Sequence, residues 1–217
     1  MGQKVNPIGF RVGRFGTWKS RWFDERGDYK DFLIEDVKIR RLLMEKLALA
    51  GIESVEIERL PKSMVITLIV SRTGVVIGRG GSGIEDIKKQ VVALMREVRG
   101  LKKPIPSKID LHVNEIKNPD LSAYLVATRM VGDLERRMPS RRVANKSMER
   151  VMQSGAKGIK ILFAGRVNGA DIARTENYHI GSVPTQTLRK EIDYAEVPAS
   201  LKRGYVGVKV WIYKGEN

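Results

Sequence analysis

Apolar residues recur at helical spacing over residues 35–50, where Val37, Leu42, Leu43, Leu47 and Ala50 share a face and Gly51 supplies the stop. Two short strands follow, 53–59 and 63–70, joined at Pro61-Lys62. After a glycine cluster, Gly74 to Gly83, a helix is predicted from Ser82 to Val98, with Ile84, Ile87, Val91, Leu94 and Val98 inward. Residues 99–107 read as a basic loop. Residues 108–114 alternate as a strand with Ile109, Leu111 and Val113 on one face. Asn118-Pro119 marks a new helix start, as N-cap and first helical residue. That helix carries Leu125, Val126, Met130, Leu134 and Met138 inward until Pro139 ends it. A further helix spans Ser140–Gln153, with Gly155 as its C-terminal cap. Strands are expected at 159–164, 186–193 and 206–213; in the last, Val206, Val208, Val210 and Ile212 alternate. The pattern is that of an α+β protein with two folded units and no internal repeat.

The first 34 residues break this regularity. Lys4, Arg11, Arg14, Lys19 and Arg21 occur with no acid before residue 24, and Gly2, Pro7, Gly9, Gly13 and Gly16 interrupt any period. The segment reads as a basic arm that orders on a polyanion by phosphate contacts, Lys4, Arg11 and Arg14 being the candidate cations. The expected division is therefore an arm at 1–34, a first domain at 35–116 and a second at 117–217.

Charge gives the arm its meaning. Lysine and arginine number 40 against 25 acidic residues, a formal net charge of +15 on 217 residues. Like charges in that excess repel in the folded state, and a polyanionic partner offsets the repulsion. Cysteine is absent, which excludes disulfides, thiolate metal sites and thiol nucleophiles. The two histidines, His112 and His179, are far apart in sequence. Asp171, Glu176 and His179 lie among Arg166 and Arg174, a setting that favours salt bridges in a loop facing the polyanionic partner over a metal or acid–base centre. No cofactor, metal or small-molecule substrate is expected. No apolar run approaches the ~18 residues of a membrane span, and the start lacks a signal-peptide pattern, so a cytoplasmic protein is expected.

Gly78-Arg79-Gly80-Gly81-Ser82-Gly83 fits G-x-G-x-x-G, the fingerprint of dinucleotide enzymes. The context does not fit. A Rossmann turn needs a strand feeding directly into it and an acid at the end of the next strand, whereas Asp110 lies inside that strand. Read from Ile77, the same residues give I-G-x-x-G-x-x-I-x-x-I, ending at Ile87. That is the pattern of a KH module. Gly78 and Gly81 permit a tight loop whose backbone approaches phosphates, Arg79 and Gly80 form its tip, and the following helix offers its N-terminus to an anion. Two strands before it and one after it give the type-2 KH order.

A second constellation lies at 136–150, where Arg136, Arg137, Arg141, Arg142, Lys146 and Arg150 face a single acid, Glu149. Arg142, Lys146 and Arg150 are spaced i, i+4, i+8 and share a stripe, while Val143, Ala144, Val151 and Met152 turn to the core. Ordinary solvated faces interleave acids; this one reads as a phosphate-binding stripe.

With the KH module after a basic arm, the chain resembles the bacterial small-subunit ribosomal protein S-three family over nearly its whole length. The resemblance is carried by the start, Met1 to Arg11, by Gly155-Ala156-Lys157-Gly158-Ile159-Lys160, by Gly165 to Glu176, and by the ending Gly204–Gly215. It implies a type-2 KH domain, in the order α-β-β-α-α-β, followed by a two-layer α/β domain. It also implies a structural, non-enzymatic role on ribosomal RNA in the head of the small subunit. The implied neighbours are proteins S-ten and S-fourteen, with S-four and S-five lining the channel through which messenger RNA enters. Arg141 and Arg142 fall on the family's arginine pair that faces incoming messenger and supports its unwinding. The third basic position falls on the uncharged Asn145, with Lys146 one residue on. The stretch 95–104 is longer than usual in the family. The alternative from another class is a free-standing KH regulator; a dinucleotide enzyme is the third.

Overall fold

The computed structural model describes residues 4–24, 28–60, 63–99 and 108–215. The chain divides into two compact units, Trp18–Lys117 and a second that joins residues before Trp18 to Asn118–Asn217. The stretch expected as one arm is thus divided at Thr17. The basic loop at 99–107 lies outside the described residues apart from Arg99, as do the Pro61-Lys62 turn and the second half of the long stretch at 95–104.

In chain order the first helix, α1 (Pro7–Phe10), belongs to the second unit. The first unit opens with a two-residue strand, β1 (Ser20–Arg21), then α2 (Tyr29–Lys46), β2 (Ile52–Arg59), β3 (Ser63–Val70), α3 (Thr73–Ile77), α4 (Ser82–Arg99) and β4 (Lys108–Glu115). Apart from β1, this is the order α-β-β-α-α-β. The sheet order is β1-β2-β3-β4, with β2 antiparallel to β3 and β4 parallel to it. Alternation in β3 sends Met64, Ile66, Leu68 and Val70 to one face, where they meet Ile39 and Leu43 of α2 and Ile87, Val91 and Met95 of α4. Helix α2 starts six residues ahead of the expected boundary. Its first two turns carry Leu33 and Ile34 outward, so no inward apolar pattern announces them; Val37, expected on the shared apolar face, is exposed, and Ile39 is buried instead.

A buried ionic cluster closes this unit. Glu35 and Asp36 on α2 are fully buried. Arg59, at the end of β2, donates to Glu35 at 2.8 Å and to Asp36 at 2.9 Å. Arg99, at the end of α4, donates to Glu35 at 3.0 Å. Ser20 Oγ and Trp22 Nε1 donate to Asp36 at 3.1 and 2.8 Å, tying the β1 segment to α2. Phe32 lies under both guanidinium groups, at 5.0 and 5.1 Å.

The second unit continues with α5 (Ala123–Glu135), α6 (Ser140–Gln153), β5 (Gly158–Gly165), β6 (Arg174–Gly181), β7 (Glu191–Leu201) and β8 (Gly204–Gly215). Its sheet is antiparallel in the order β6-β5-β8-β7, with α5 and α6 on one face. Ile159, Ile161 and Phe163 of β5 and Val206, Val208, Val210 and Ile212 of β8 form the sheet side of the core. Two strands depart from expectation. Strand β6 was not anticipated, and β7 begins at Glu191 rather than 186 and runs to Leu201. Both are edge strands; β6 has no fully buried residue and β7 buries mostly alanines and includes Pro198, so neither shows a strong period of two. Pro119 starts a short 3-10 turn, Pro119–Leu121, instead of the helix itself, and α5 begins after Ser122. Its first N–H, that of Ala123, donates to Asp193 Oδ2 of β7 at 2.8 Å.

Removing Arg59 leaves two buried carboxylates short of their main partner. Arg59→Ala is therefore expected to destabilise the first unit by about 3–5 kcal/mol, read from faster native-state hydrogen exchange at the Ile66 and Leu68 amides. An unchanged exchange rate would show the cluster to be energetically idle.

Candidate nucleic-acid interface

Three groups of residues expected to meet RNA occupy different elements. The glycine loop connects α3 to α4. Gly78, Gly80 and Gly81 all take positive φ, at +69, +63 and +84°, a region open to glycine at little cost. Arg79 and Gly80 are exposed at the tip, and Ser82 Oγ donates to the Arg79 carbonyl at 3.0 Å, folding the loop over the start of α4. The decisive glycine is one not singled out from the sequence. A Cβ on Gly83 would lie 2.5 Å from the Val76 carbonyl oxygen, so Gly83 is what lets the two helices approach. It was visible as an extra glycine just past the loop.

The basic face of α6 is built by what lies beneath it. Val143 and Ala144 are fully buried, and Met148 and Val151 nearly so. Residues one and two positions away must then point outward, and Arg141, Arg142, Asn145, Glu149 and Arg150 are exposed. Arg141, Arg142, Asn145, Lys146 and Glu149 border one shallow concavity with Pro139. Lys146 is half-buried and lies 3.6 Å from Asp133 of α5, so its charge is shared. Among the described residues, Arg141, Arg142 and Arg150 have no acidic partner within ion-pair distance. Arg150 lies outside the concavity, further along the stripe.

The helix start is fixed by the sheet. Pro139 cannot cap it with a side chain, and Asn168 does so instead: its Oδ1 accepts from the Ser140 N–H at 3.1 Å and its Nδ2 donates to Ser140 Oγ at 3.1 Å. Asn168 sits at φ +54°, in the turn after β5, where the Asn-Gly pair at 168–169 was a readable turn signal. Ser140 Oγ in turn donates to Glu176 Oε2 at 2.7 Å, and Tyr178 donates to the same oxygen at 3.0 Å. Burial, then the Glu176 bond, push the Tyr178 phenol above its usual pKa.

The Asp171, Glu176 and His179 group is therefore dispersed. Asp171 pairs with Arg166 and Arg203 at 3.2 and 3.3 Å, Glu176 anchors α6, and His179 lies on β6 opposite Lys160. Glu176 and His179 belong to a strand where a loop was expected. Among the described residues, no cluster of His, Asp and Glu could hold a metal ion.

The arm departs furthest from expectation. Asn6 caps α1, its Oδ1 accepting from the N–H groups of Ile8 and Gly9 at 2.9 and 3.3 Å. Arg11 is 3% exposed. Its guanidinium donates to the carbonyls of Lys190, Pro7, Thr185 and Thr187 at 2.8, 3.1, 2.9 and 3.0 Å. Arg11 thus leaves the set of phosphate cations: its donors are spent on backbone oxygens, and the arm is ordered by them without RNA. Lys4 and Arg14 remain exposed.

Comparison with known proteins completes the picture. A family described as "KH domain" matches residues 38–121, and one described as "Ribosomal protein S3, C-terminal domain" matches residues 130–212. Proteins named small ribosomal subunit protein uS3 align with the whole chain. The protein from Leuconostoc citreum is 45% identical, with 96% of its length covered. That from Caldicellulosiruptor saccharolyticus is 46% identical with 93% covered, and that from Finegoldia magna 46% with 84% covered. The chain belongs to the uS3 family. The uS3 proteins are structural ribosomal proteins rather than enzymes, and the dinucleotide reading of the glycine loop falls away with that membership. The KH match spans the glycine loop, and the uS3 C-terminal match spans α6 together with the turn that caps it.

Replacing Arg11 by alanine strips four carbonyls of their donor. Arg11→Ala is expected to raise hydrogen-exchange rates of the amides at 8–11 by about tenfold or more, while the amides of Ile161 and Val210 stay protected. Equal protection in the variant would mean that something else holds the arm.

Proposed function

We propose that this chain is an RNA-binding structural component of the small ribosomal subunit. It sits on ribosomal RNA in the subunit head, with α6 facing the channel through which messenger RNA enters. One observation carries the reading: α6 keeps a full apolar face in the core while presenting arginines without acidic partners on the other, at the edge of a concavity. Cations fixed in this way bind phosphates without first breaking an ion pair. The glycine loop offers a second backbone-contact site, and the net charge of +15 suits both. The family resemblance adds the neighbours S-ten and S-fourteen in the head, and S-four and S-five at the channel, in a cytoplasmic ribosome.

Structured messenger must open before it passes a narrow channel. Arg141 and Arg142 at the mouth hold the backbones of separated strands and bias the opening, and translocation supplies the work. Lys146 contributes less because Asp133 already shares its charge. No bond is made or broken by the protein.

Arg141→Ala/Arg142→Ala/Lys146→Ala is expected to permit subunit assembly and to slow translation of stable hairpins, leaving unstructured messages near their normal rate. Each lost phosphate contact should lower the salt slope of messenger binding by about one or less. The measurement is elongation on two messages differing only in hairpin stability; equal slowing on both would remove the unwinding role.

For the loop, Arg79→Asp/Gly80→Asp should keep the fold, since nothing lies within 4 Å of a Cβ at Gly80 and aspartate tolerates the left-handed region. It should weaken binding of single-stranded RNA to the protein by about tenfold, as repulsion replaces a phosphate contact. Unchanged affinity at moderate salt would count against the loop as a site.

A further inference from the structure

On the face of the second unit's sheet that turns away from α5 and α6, the helix found among the described residues is the four-residue α1 of the arm, which packs at β7. Register places Lys160 of β5 opposite Trp211 of β8, and Trp211 opposite Tyr194 of β7. In the neighbouring row Leu162, Lys209 and Glu196 are aligned in the same way. The ordered arm borders this face, and together they enclose a cavity of about 770 Å³ lined by Lys4, Phe10, Lys160, Tyr194, Lys209 and Trp211, among others.

The chemistry of the lining is divided. Lys209 is neutralised by Glu196 at 3.1 Å, and Tyr194 donates to the same carboxylate at 2.9 Å. Lys4 and Lys160 have no acidic partner among the described residues. Burial, and then the neighbouring Lys4 charge, hold Lys160 below the ordinary lysine pKa. Two unneutralised ammonium groups at the wall of one cavity repel each other until an anion joins them. Beside them is an aromatic pair, Trp211 and Tyr194, with ring centroids 5.1 Å apart, and Lys160 lies 5.6 Å from the Trp211 ring.

We propose that this cavity is a binding site for one unpaired RNA nucleotide, its phosphate held by Lys4 and Lys160 and its base against Trp211 and Tyr194. This rests on the RNA-binding reading of the chain and adds a place separate from α6 and the glycine loop. The volume suits a nucleotide, and aromatic surface beside fixed cations is the combination that single-stranded nucleic acid uses. A protein segment covering the face would need to bring its own carboxylate to the lysine pair and gives no reason for the cavity. The arm is the third wall, so the Arg11 anchor keeps the site formed.

The test uses the full chain with nitrogen-15 label, the Trp211 indole resonance being identified from Trp211→Phe. Penta-adenylate should shift that resonance, and inorganic phosphate alone should move it little. Lys160→Gln should weaken the oligonucleotide effect about fivefold and lower its salt slope by about one, and Lys160→Arg should restore it. If the indole stays still while amides of α6 or the glycine loop move, the cavity is not the site and the RNA reading stands. If no resonance moves anywhere, the RNA reading fails for the free protein and the cavity proposal falls with it. Equal shifts by phosphate and oligonucleotide would reduce the site to an anion hole without a base. Carbodiimide cross-linking of Lys160 to a protein carboxylate in purified small subunits would overturn the proposal in favour of a protein partner.

Discussion

Four buried charges set the frame of the N-terminal unit: Glu35 and Asp36 on α2, Arg59 at the end of β2 and Arg99 at the end of α4. They fix the C-terminal end of α4 against α2, while Ile87, Val91 and Met95 fix its length against the sheet. The N-terminal end of the same helix carries the glycine loop. A rigid rod pinned at one end and along its side has its other end placed as well, so the loop inherits its position from charges at the far end of the helix. Buried ion pairs are seldom the cheapest way to stabilise a core. Here their directional bonds join three elements and the β1 segment at one point, which apolar contacts alone specify less sharply.

The C-terminal unit solves the same problem with side-chain hydrogen bonds rather than ion pairs. Helix α6 must face outward with its arginines, so it cannot be secured from that side. Asn168, Ser140 and Glu176 secure it from the sheet side instead, through bonds of 2.7 to 3.1 Å. Glu176 is the acid of this node; both hydroxyls donate to its Oε2, and among the described residues it makes no ion pair with the arginines of α6. Asp133 of α5 pairs with Lys146. Arginines free of ion pairs on this face thus reflect how the helix is held as well as its composition.

Legibility in the sequence followed the strength of burial on one face. Helix α4 and strand β8 have dense apolar residues at periods of 3.6 and 2, and both were readable to within a few residues. The edge strand β6 has no fully buried residue and β7 buries Ile192 and two alanines, so their periods were weak, and α3 was lost in a glycine cluster that marks a turn just as well. The basic stripe of α6 was legible because its cations and its apolar residues interleave at helical spacing. Its support was not, because Asn168 and Glu176 reach Ser140 from 28 and 36 residues away. Arg11 misled for the same reason: in sequence it is one more cation in a basic arm, and only the fold brings the Thr185, Thr187 and Lys190 carbonyls to it.

That last arrangement has a bearing on synthesis. Arg11 meets partners 174 to 179 residues further along the chain, and α1 has no other unit to join. While the chain is still emerging from the ribosome that makes it, Trp18–Lys117 is complete in itself and free to fold, whereas the arm waits for nearly the whole polypeptide. For that interval a basic, glycine-rich tail hangs exposed beside the very RNA it could bind non-specifically. Docking of Arg11 onto the Thr185, Thr187 and Lys190 carbonyls withdraws that cation and fixes the arm, while Lys4 and Arg14 stay on the surface presented for assembly.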